Sequence, residues 1–194
     1  MRKVRRPIMS YSGSQGVAKK TAKAEITELE AMLSESPSAE KVCVKLAQIL
    51  NVRRSEVALL RLEKGSLRFI FPVELRATGA LPLTGSAVAA RTAATRTPLL
   101  SNSFMRVRHA SLFEAIKLSR DEEDRSLDQV PIQKIISVPV ARSGEPVMGV
   151  VQISRKGLDA KLAGADFTSE DLKLVDRAAD ILARMPFMKE GAEL

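Results

Sequence analysis

Cysteine, histidine and aromatic residues are scarce in this sequence. Its 194 residues include one cysteine, one histidine, one tyrosine and no tryptophan. The single cysteine, Cys43, excludes an intramolecular disulfide, and together with the single histidine, His109, it falls short of the ligand set of a structural zinc site. We therefore expect neither metal nor redox chemistry, and the sequence names no cofactor.

Long hydrophobic runs are also missing. No stretch approaches the roughly 18 apolar residues that a membrane-spanning helix requires. Residues 1–7 are basic and lack the apolar segment of a secretion signal. A hydrophobic content of 45% in 194 residues is enough for one domain with a real core. These features predict a soluble, cytoplasmic protein without a membrane partner.

Acidic residues are absent from the start of the chain. Residues 1–23 contain seven of the 31 basic residues, so most of the net charge of +8 lies there. The segment 1–21 is rich in serine and glycine and has no hydrophobic period, which predicts a disordered basic tail. Such a tail can bind phosphates without reading bases. A regulator that contacts nucleic acid through the tail is therefore one alternative, although no helix-turn-helix or zinc pattern supports it.

Apolar residues at helical spacing predict helices at both ends of the chain. Residues 22–35 carry one amphipathic pattern and are assigned to an N-terminal helix. A second helix is predicted over residues 37–50. Near the other end, Thr168 and Asp171 have the spacing of a capping box, which predicts a long helix to about residue 184.

Runs of β-branched and alternating apolar residues predict two hairpins and one single strand. The strands lie at residues 57–62, 67–71, 98–101, 135–140 and 147–153. Two further helices are predicted, at residues 85–94 and from Ser111 onward, with loops at 72–82 and 119–129. Consecutive strands without helical crossovers favour an antiparallel sheet flanked by helices, an α+β fold. Pro139 is expected at an edge or bulge position.

Three groups of residues together resemble the GAF domain family of signalling proteins. They are Leu83 to Arg91 continuing through Pro98, the paired runs Ser137 to Val140 and Met148 to Val151, and Phe167 to Leu172. We assign residues 36–188 to this domain and 189–194 to a tail. The resemblance implies a PAS-related antiparallel sheet of five to six strands. It also implies terminal helices on one face, and helices and loops that cover a small-molecule pocket on the other.

The motif of cyclic-nucleotide-binding members is incomplete in this chain. Those GAF domains often carry an Asn-Lys pair after the last strand, then a Phe, then an Asp-Glu pair. The matching residues here are Ser154 with Arg155, then Phe167, then Asp171 with Leu172. Only Phe167 and Asp171 agree with the motif. Phe167 is explained equally well as a loop anchor, and Asp171 as part of a helix cap. We therefore do not expect cyclic nucleotide binding.

Branches of the family that depend on cysteine also match poorly. Phytochrome-like GAF domains attach a bilin through a cysteine, and enzymes resembling free methionine sulfoxide reductase relay a disulfide among pocket cysteines. Cys43 lies on the second predicted helix, away from the pocket side. We therefore expect neither a covalent chromophore nor an enzyme. Arg96 stands where the family usually has a glycine, and a left-handed backbone there would cost about 1 kcal/mol; the alternative is a different turn.

The candidate ligand site lies in an arginine-rich segment, residues 75–110, which contains five arginines and no acidic residue. The resemblance places the pocket lid here. One hypothesis is an anionic ligand held by free backbone amides at two helix starts and by Arg106 or Arg108. The candidate ligand-binding residues are Thr84, Gly85, Ser86, Ser101, Asn102, Phe104, Arg106, Arg108, His109 and Ser111. The alternatives are that the arginines form a solvated face and that His109 only flanks a helix.

These patterns favour a stand-alone, non-catalytic GAF-like sensory domain that binds a small molecule and signals through a partner protein or its own dimer. The C-terminal helix has two apolar stripes, which is more than covering a sheet requires. Together with the N-terminal helix they predict a homodimer. The alternative is that these helices pack on each other within one chain. The second functional hypothesis is a ligand-free interaction or dimerisation module.

Overall fold

The computed structural model describes residues 24, 26–31, 35, 37–104 and 130–189. Its strands are β1 (Val57–Glu63), β2 (Ser66–Phe71), β3 (Ala80–Pro82), β4 (Leu99–Ser101), β5 (Ile132–Val140) and β6 (Gly149–Lys156). They form a six-stranded sheet in the order β3-β2-β1-β6-β5-β4, and neighbouring strands pair antiparallel. The predicted α+β fold with an antiparallel sheet of five to six strands is confirmed.

Helices flank this sheet. They are α1 (Ala39–Ile49), α2 (Val88–Thr95), α3 (Ser169–Leu182) and the short α4 (Pro186–Lys189), with 3-10 turns at Arg54–Glu56 and Val73–Thr78. Residues 26–31 are also helical.

The N-terminal cap of α3 agrees with the sequence pattern, whereas α1 begins two residues later than predicted. The Thr168 side chain accepts from the Asp171 N–H at 3.1 Å, and the Asp171 carboxylate accepts from the Thr168 N–H at 2.7 Å. The predicted capping box of α3 is therefore confirmed. The helix predicted from residue 37 begins after Ser38 instead, because the Ser38 hydroxyl accepts from the Lys41 N–H at 3.3 Å.

Both faces of the sheet are buried under helices. On one face, α1, α3 and residues 26–31 pack against strand residues such as Leu59 and Val151. On the other face, α2 packs against the adjacent residues Leu60 and Val150. Side chains alternate between the faces along each strand, so β5 and β6 are buried at nearly every position. Two-sided burial accounts for their continuous apolar sequence.

The terminal helices bury their apolar sides within one chain. Ile26 and Leu29 belong to the same core as α3, and the Lys45 ammonium of α1 pairs with Glu28 at 2.6 Å. Both apolar stripes of α3 are buried as well. Their buried members include Leu174, Val175, Ala178, Ala179, Ile181, Leu182 and Met185. Packing within one chain thus accounts for the stripes, and the homodimer stays a prediction that they do not support.

The segment predicted as a loop over residues 72–82 contains a strand. β3 pairs with β2, with Leu81 opposite Leu67. Three residues ending in a proline carry no recognisable period, so this strand exists only through its pairing. The pairing of β5 with β4 ends at Ser137. Pro139 therefore lies at a local edge of the described sheet, as predicted.

Several predictions fall outside the described residues. They concern the tail 1–21, the helix from Ser111, the loop 119–129 and, apart from its first residue, the tail 189–194. The domain boundaries derived from them remain predictions. Among the helices that the structure describes, none combines the length and apolar character needed to cross a membrane.

Gly149 lies where β6 passes very close to β1. A Cβ atom at this position would lie 2.1 Å from the Leu60 carbonyl oxygen and 2.7 Å from the Met188 terminal methyl carbon. Gly149→Ala should therefore lower the free energy of unfolding by about 2–3 kcal/mol, as for overpacked cores. Urea unfolding followed by circular dichroism measures this loss.

Gly85→Ala is the matched control, because its added Cβ would meet only the Pro82 carbonyl oxygen, at 3.0 Å. We expect it to cost less than half as much. Equal losses for the two variants, or a neutral Gly149→Ala, would contradict the close approach.

Asp176 lies on the exposed side of α3. Partial loss of hydration raises the pKa of its carboxyl group above the usual value, and repulsion from Asp180 raises that pKa further. Because the folded-state pKa exceeds the unfolded one, ionisation above it costs stability. Asp176→Asn should therefore raise the free energy of unfolding at pH 7 by about 0.3 kcal/mol, the size of a like-charge helical pair.

This gain should disappear as the pH falls below the unfolded pKa of 3.8, where both folded and unfolded Asp176 are protonated. Urea titrations at pH 7 and pH 3 test the sign. Glu170→Gln serves as control, since it removes an ion pair with Lys173 at 2.8 Å and should bring no gain. A larger gain for Asp176→Asn at pH 3 than at pH 7 would refute the assignment.

Arg96 ends α2 in the left-handed conformation, with φ 54° and ψ 27°. Of the two possibilities that the sequence left open, the structure therefore has the left-handed turn and not a different one. After allowance for the larger unfolded-state entropy of glycine, Arg96→Gly should stabilise the protein by about 0.5 kcal/mol, and Arg96→Val should destabilise it by about 1 kcal/mol. Ala94→Gly, within the helix, should lose about 1 kcal/mol. Thermal unfolding of the three variants tests this order, and a loss for Arg96→Gly would be inconsistent with it.

Candidate ligand-binding groove

A groove opens between α2 and β4. Its volume is about 360 Å³, and the lining residues are Val88, Arg91, Thr92, Thr95, Thr97, Pro98 and Leu99. Small-molecule sites in proteins typically occupy about 300–1,000 Å³. The groove therefore has room for a small ligand with both polar and apolar parts.

A buried cluster of polar side chains lies beside this groove. The Thr92 hydroxyl contacts the Ser137 hydroxyl at 2.8 Å, and the Gln152 amide donates to the same Ser137 oxygen at 3.1 Å. Ser137 and Gln152 are directly opposed in the β5–β6 ladder. All three side chains are buried. Since burying an unpaired polar group is costly, these bonds stabilise the position of α2 above the two strands.

The bonds of the cluster use only one of its two hydroxyl protons. Thr92 and Ser137 carry one hydroxyl proton each, and their mutual contact uses only one. A proton left on Ser137 would be buried without a partner, whereas Thr92 lines the groove. Either hydroxyl can be the donor in this contact, and the second proton reaches the groove when it is on Thr92. Thr95 and Thr97 differ, because both hydroxyls already donate to backbone carbonyls, at 2.8 and 3.0 Å.

Positive charge marks the rim of the groove. Arg91 lines it, and Arg96 lies in the turn that leads to β4. Both arginines are exposed, and the sequence has no acidic residue between positions 75 and 110. Arg76 serves the fold instead, because its guanidinium donates to the Ile70 carbonyl oxygen at 2.9 and 3.1 Å. A ligand anion would therefore meet guanidinium groups at this rim.

Thr84, Gly85 and Ser86 do not form the start of a helix. The helix predicted from residue 85 is wrong by three residues, since α2 begins at Val88 with Ala87 as its N-cap. The Gly85 N–H donates to the Pro82 carbonyl at 2.9 Å and closes a turn after β3. Its amide is thus committed to the fold and is not free for an anion.

The other predicted site residues have different surroundings. Ser101 is half-buried at the end of β4, and Phe104 is buried in the core beneath α2. The Asn102 side chain forms hydrogen bonds with the backbone of Phe167. The remaining candidates lie outside the described residues and stay predictions; they are Arg106, Arg108, His109 and Ser111.

Phe167 is held from two sides. The Asn102 amide nitrogen donates to the Phe167 carbonyl, and the Asn102 amide oxygen accepts from the Phe167 N–H, both at 2.9 Å. The Arg155 guanidinium lies 4.8 Å from the centroid of the Phe167 ring, a contact of about 0.5–1 kcal/mol. It also donates to the carbonyls of Leu50 and Asn51, at 3.1 and 3.2 Å. The predicted role of Phe167 as a loop anchor is confirmed.

The positions that depart from the cyclic-nucleotide motif have structural roles. The Ser154 hydroxyl donates to the Glu56 carbonyl at 3.1 Å. The Glu56 carboxylate is itself buried and accepts from Arg53 at 2.7 Å. Arg155 stacks on Phe167, so both of these departing residues support the fold. Asp171, which agrees with the motif, caps α3.

Cys43 is fully buried in α1. Burial raises the pKa of its thiol, and the positive charge of Arg54 offsets only part of that shift. The thiolate, which is the nucleophilic form, is therefore disfavoured. This cysteine is not suited to a disulfide relay.

Sequence reasoning missed the polar cluster of Thr92, Ser137 and Gln152. Ser137 and Gln152 interrupt the apolar runs of residues 135–140 and 147–153. That interruption was a usable signal, because a polar residue inside a buried strand requires a partner. The identity of the partner on α2 follows only from the assembled fold.

Comparison with known proteins identifies the family. The family model described as GAF domain matches residues 37–185. The fold is also similar to GAF domains of two phosphoenolpyruvate-protein phosphotransferases. The one from Coxiella burnetii has a TM-score of 0.64 and 12% identity, over 89% of this chain and 96% of that chain. The one from Acinetobacter has a TM-score of 0.60 and 13% identity, over 96% of this chain and 99% of that chain.

The same fold occurs in an enzyme. Free methionine-R-sulfoxide reductase from Neisseria meningitidis, solved in complex with its substrate, has a TM-score of 0.54 and 16% identity, over 95% of this chain and 98% of that chain. Likeness at these identities shows the fold alone. No curated protein matches the sequence. Because the family model covers residues 37–185, this chain belongs to the GAF domain family, whose members typically have sensory or regulatory roles in signalling.

Proposed function

We propose that this chain is a non-catalytic regulatory domain that binds a small anionic molecule in the groove between α2 and β4. The observation that carries the proposal is the buried Thr92 hydroxyl, which lines the groove and shares two hydroxyl protons with Ser137, of which their mutual contact uses one. A buried donor beside an open groove favours a ligand that supplies an acceptor.

The ligand combines an oxyanion with an apolar part. Its oxyanion accepts from Thr92 and pairs with Arg91, while its apolar part contacts Val88, Pro98 and Leu99. A carboxylate and a phosphate ester share this chemistry. Of the residues outside the described part of the chain, Arg106, Arg108, His109 and Ser111 are proposed as further contacts.

The absence of catalysis belongs to the proposal. A disulfide relay needs several accessible thiols, whereas the one cysteine of this chain is buried with a raised pKa. In the described residues, no group of three or more His, Cys, Asp or Glu side chains is arranged to hold a metal ion. The domain then acts through a partner protein or a second copy of the chain, in the cytoplasm.

Four probes test the ligand class on the full chain: benzoate, phenyl phosphate, neutral benzamide and inorganic phosphate. Two-dimensional NMR titration gives dissociation constants and the amides affected. We expect benzoate or phenyl phosphate to bind, to shift amides of α2 and β4, and to bind at least about tenfold more tightly than benzamide, as for hydrogen bonds to charged groups. Comparing benzoate with phenyl phosphate separates a carboxylate ligand from a phosphate ligand.

Three variants locate the contact. Thr92→Val and Arg91→Gln should each weaken binding of the better anion about tenfold. Thr95→Val is the matched control, since its hydroxyl proton is already donated to a backbone carbonyl, and it should bind as the unchanged chain does. Benzamide binding as tightly as benzoate would overturn the anionic class. Failure of every probe, together with a metabolite library, to perturb α2 or β4 would overturn ligand binding at this groove.

A further inference from the structure

Asn102, Phe167 and Arg155 form a continuous series of contacts from β4 to the helices α3 and α1. Asn102 directly follows β4 and binds both the N–H and the carbonyl of Phe167, each at 2.9 Å. Phe167 in turn directly precedes Thr168, the N-cap of α3. One amide side chain thus sets the position of the residue that leads into α3.

The second half of the link runs from Phe167 to α1. The Arg155 guanidinium stacks on the Phe167 ring at 4.8 Å. The same guanidinium donates to the carbonyls of Leu50 and Asn51, just after the last residue of α1. A helix C-terminus favours a positive charge at this place. Phe167 is therefore the point at which contacts from β4, α1 and α3 meet.

The groove end of the link has few backbone pairings among the described residues. β4 is an edge strand of the described sheet and pairs with β5 through three residues only. Leu99, at its start, lines the groove, and Asn102 follows its end. A shift of β4 would therefore move Asn102. Because two hydrogen bonds fix the orientation of Asn102 relative to Phe167, such a shift would be passed to α3 and α1.

We infer that Asn102 is a positioning residue that couples the state of the groove to the first turn of α3 and the C-terminal end of α1. Occupancy of the groove shifts β4, and Asn102 transmits that shift through Phe167 and Arg155. The regulatory part of this inference rests on the proposed function. The coupling itself is a property of the chain without ligand, which allows the two to be tested separately.

Amide hydrogen exchange on the full chain, combined with a double-mutant cycle, tests the coupling. Pro98→Gly perturbs β4 at an exposed residue of the groove wall. We expect it to raise exchange at residues 50–52 and 168–172 on the order of fivefold, the lower end of coupling factors between sites. In an Asn102→Ala background the same substitution should leave exchange at these residues unchanged. A merely structural Asn102 would give the same response to Pro98→Gly in both backgrounds, and that result overturns the inference.

Two controls keep the test decisive. Pro82→Gly perturbs β3, the opposite edge of the sheet, and should not alter exchange at residues 50–52 and 168–172. If Asn102→Ala does not fold, Asn102→Asp replaces it as the background, because it keeps the acceptor for the Phe167 N–H and loses only the donor. The response to Pro98→Gly should then be reduced. An unreduced response counts against the inference.

Addition of phenyl phosphate and benzoate forms the second arm. Either anion should lower exchange at residues 168–172 in the unchanged chain and not in Asn102→Ala, while shifts at α2 persist in both. Coupling in the ligand-free cycle without any effect of the anions would support the link and refute the proposed ligand class. Binding of an anion without coupling in the cycle would support ligand binding and refute the role of Asn102.

Discussion

Burial of β5 and β6 on both faces is the constraint on which the other elements depend. Every position of β5 is buried except Pro139, and every position of β6 except Arg155. Apolar strands of this kind need a layer above and a layer below, because an uncovered face would expose a large apolar area to water. The helices α1 and α3 supply one layer and α2 the other. Gly149 shows how closely β6 approaches β1, since a side chain there would overlap the Leu60 carbonyl.

Polar residues within this buried pair connect stability with the candidate site. Ser137 and Gln152 lie opposite each other on the face covered by α2, where an unpaired polar group would be costly. Their partner is Thr92, so the bonds that satisfy the strands also hold α2 in place. Thr92 also lines the groove. Arg155, the exception on β6, faces the other layer and ties α1 to Phe167.

Elements stabilised by neighbours in sequence were predicted well. Both hairpins and the Thr168–Asp171 cap of α3 depend on turn and capping contacts that span a few residues. Two features were missed, one that depends on a distant partner and one that depends on a local turn. Strand β3 exists through its pairing with β2, and α2 begins late because the turn after β3 uses the Gly85 amide. The apolar stripes of α3 were visible in the sequence, but the chain itself covers them.

The sequence by itself indicated the family through the resemblance of its motifs, and it determined the antiparallel α+β architecture and the excess of arginine around α2. The architecture and the arginine excess follow from local periods, turn chemistry and composition, whereas the left-handed backbone of Arg96 was left open. The tertiary structure alone decided which polar side chains line the groove. Asn102 was expected at the site and instead binds Phe167, 65 residues away in the chain, while Thr92 was not expected and lines the groove. The physical reason is that each side chain takes the hydrogen-bond partner brought to it when the sheet and helices assemble, and sequence spacing does not specify that partner.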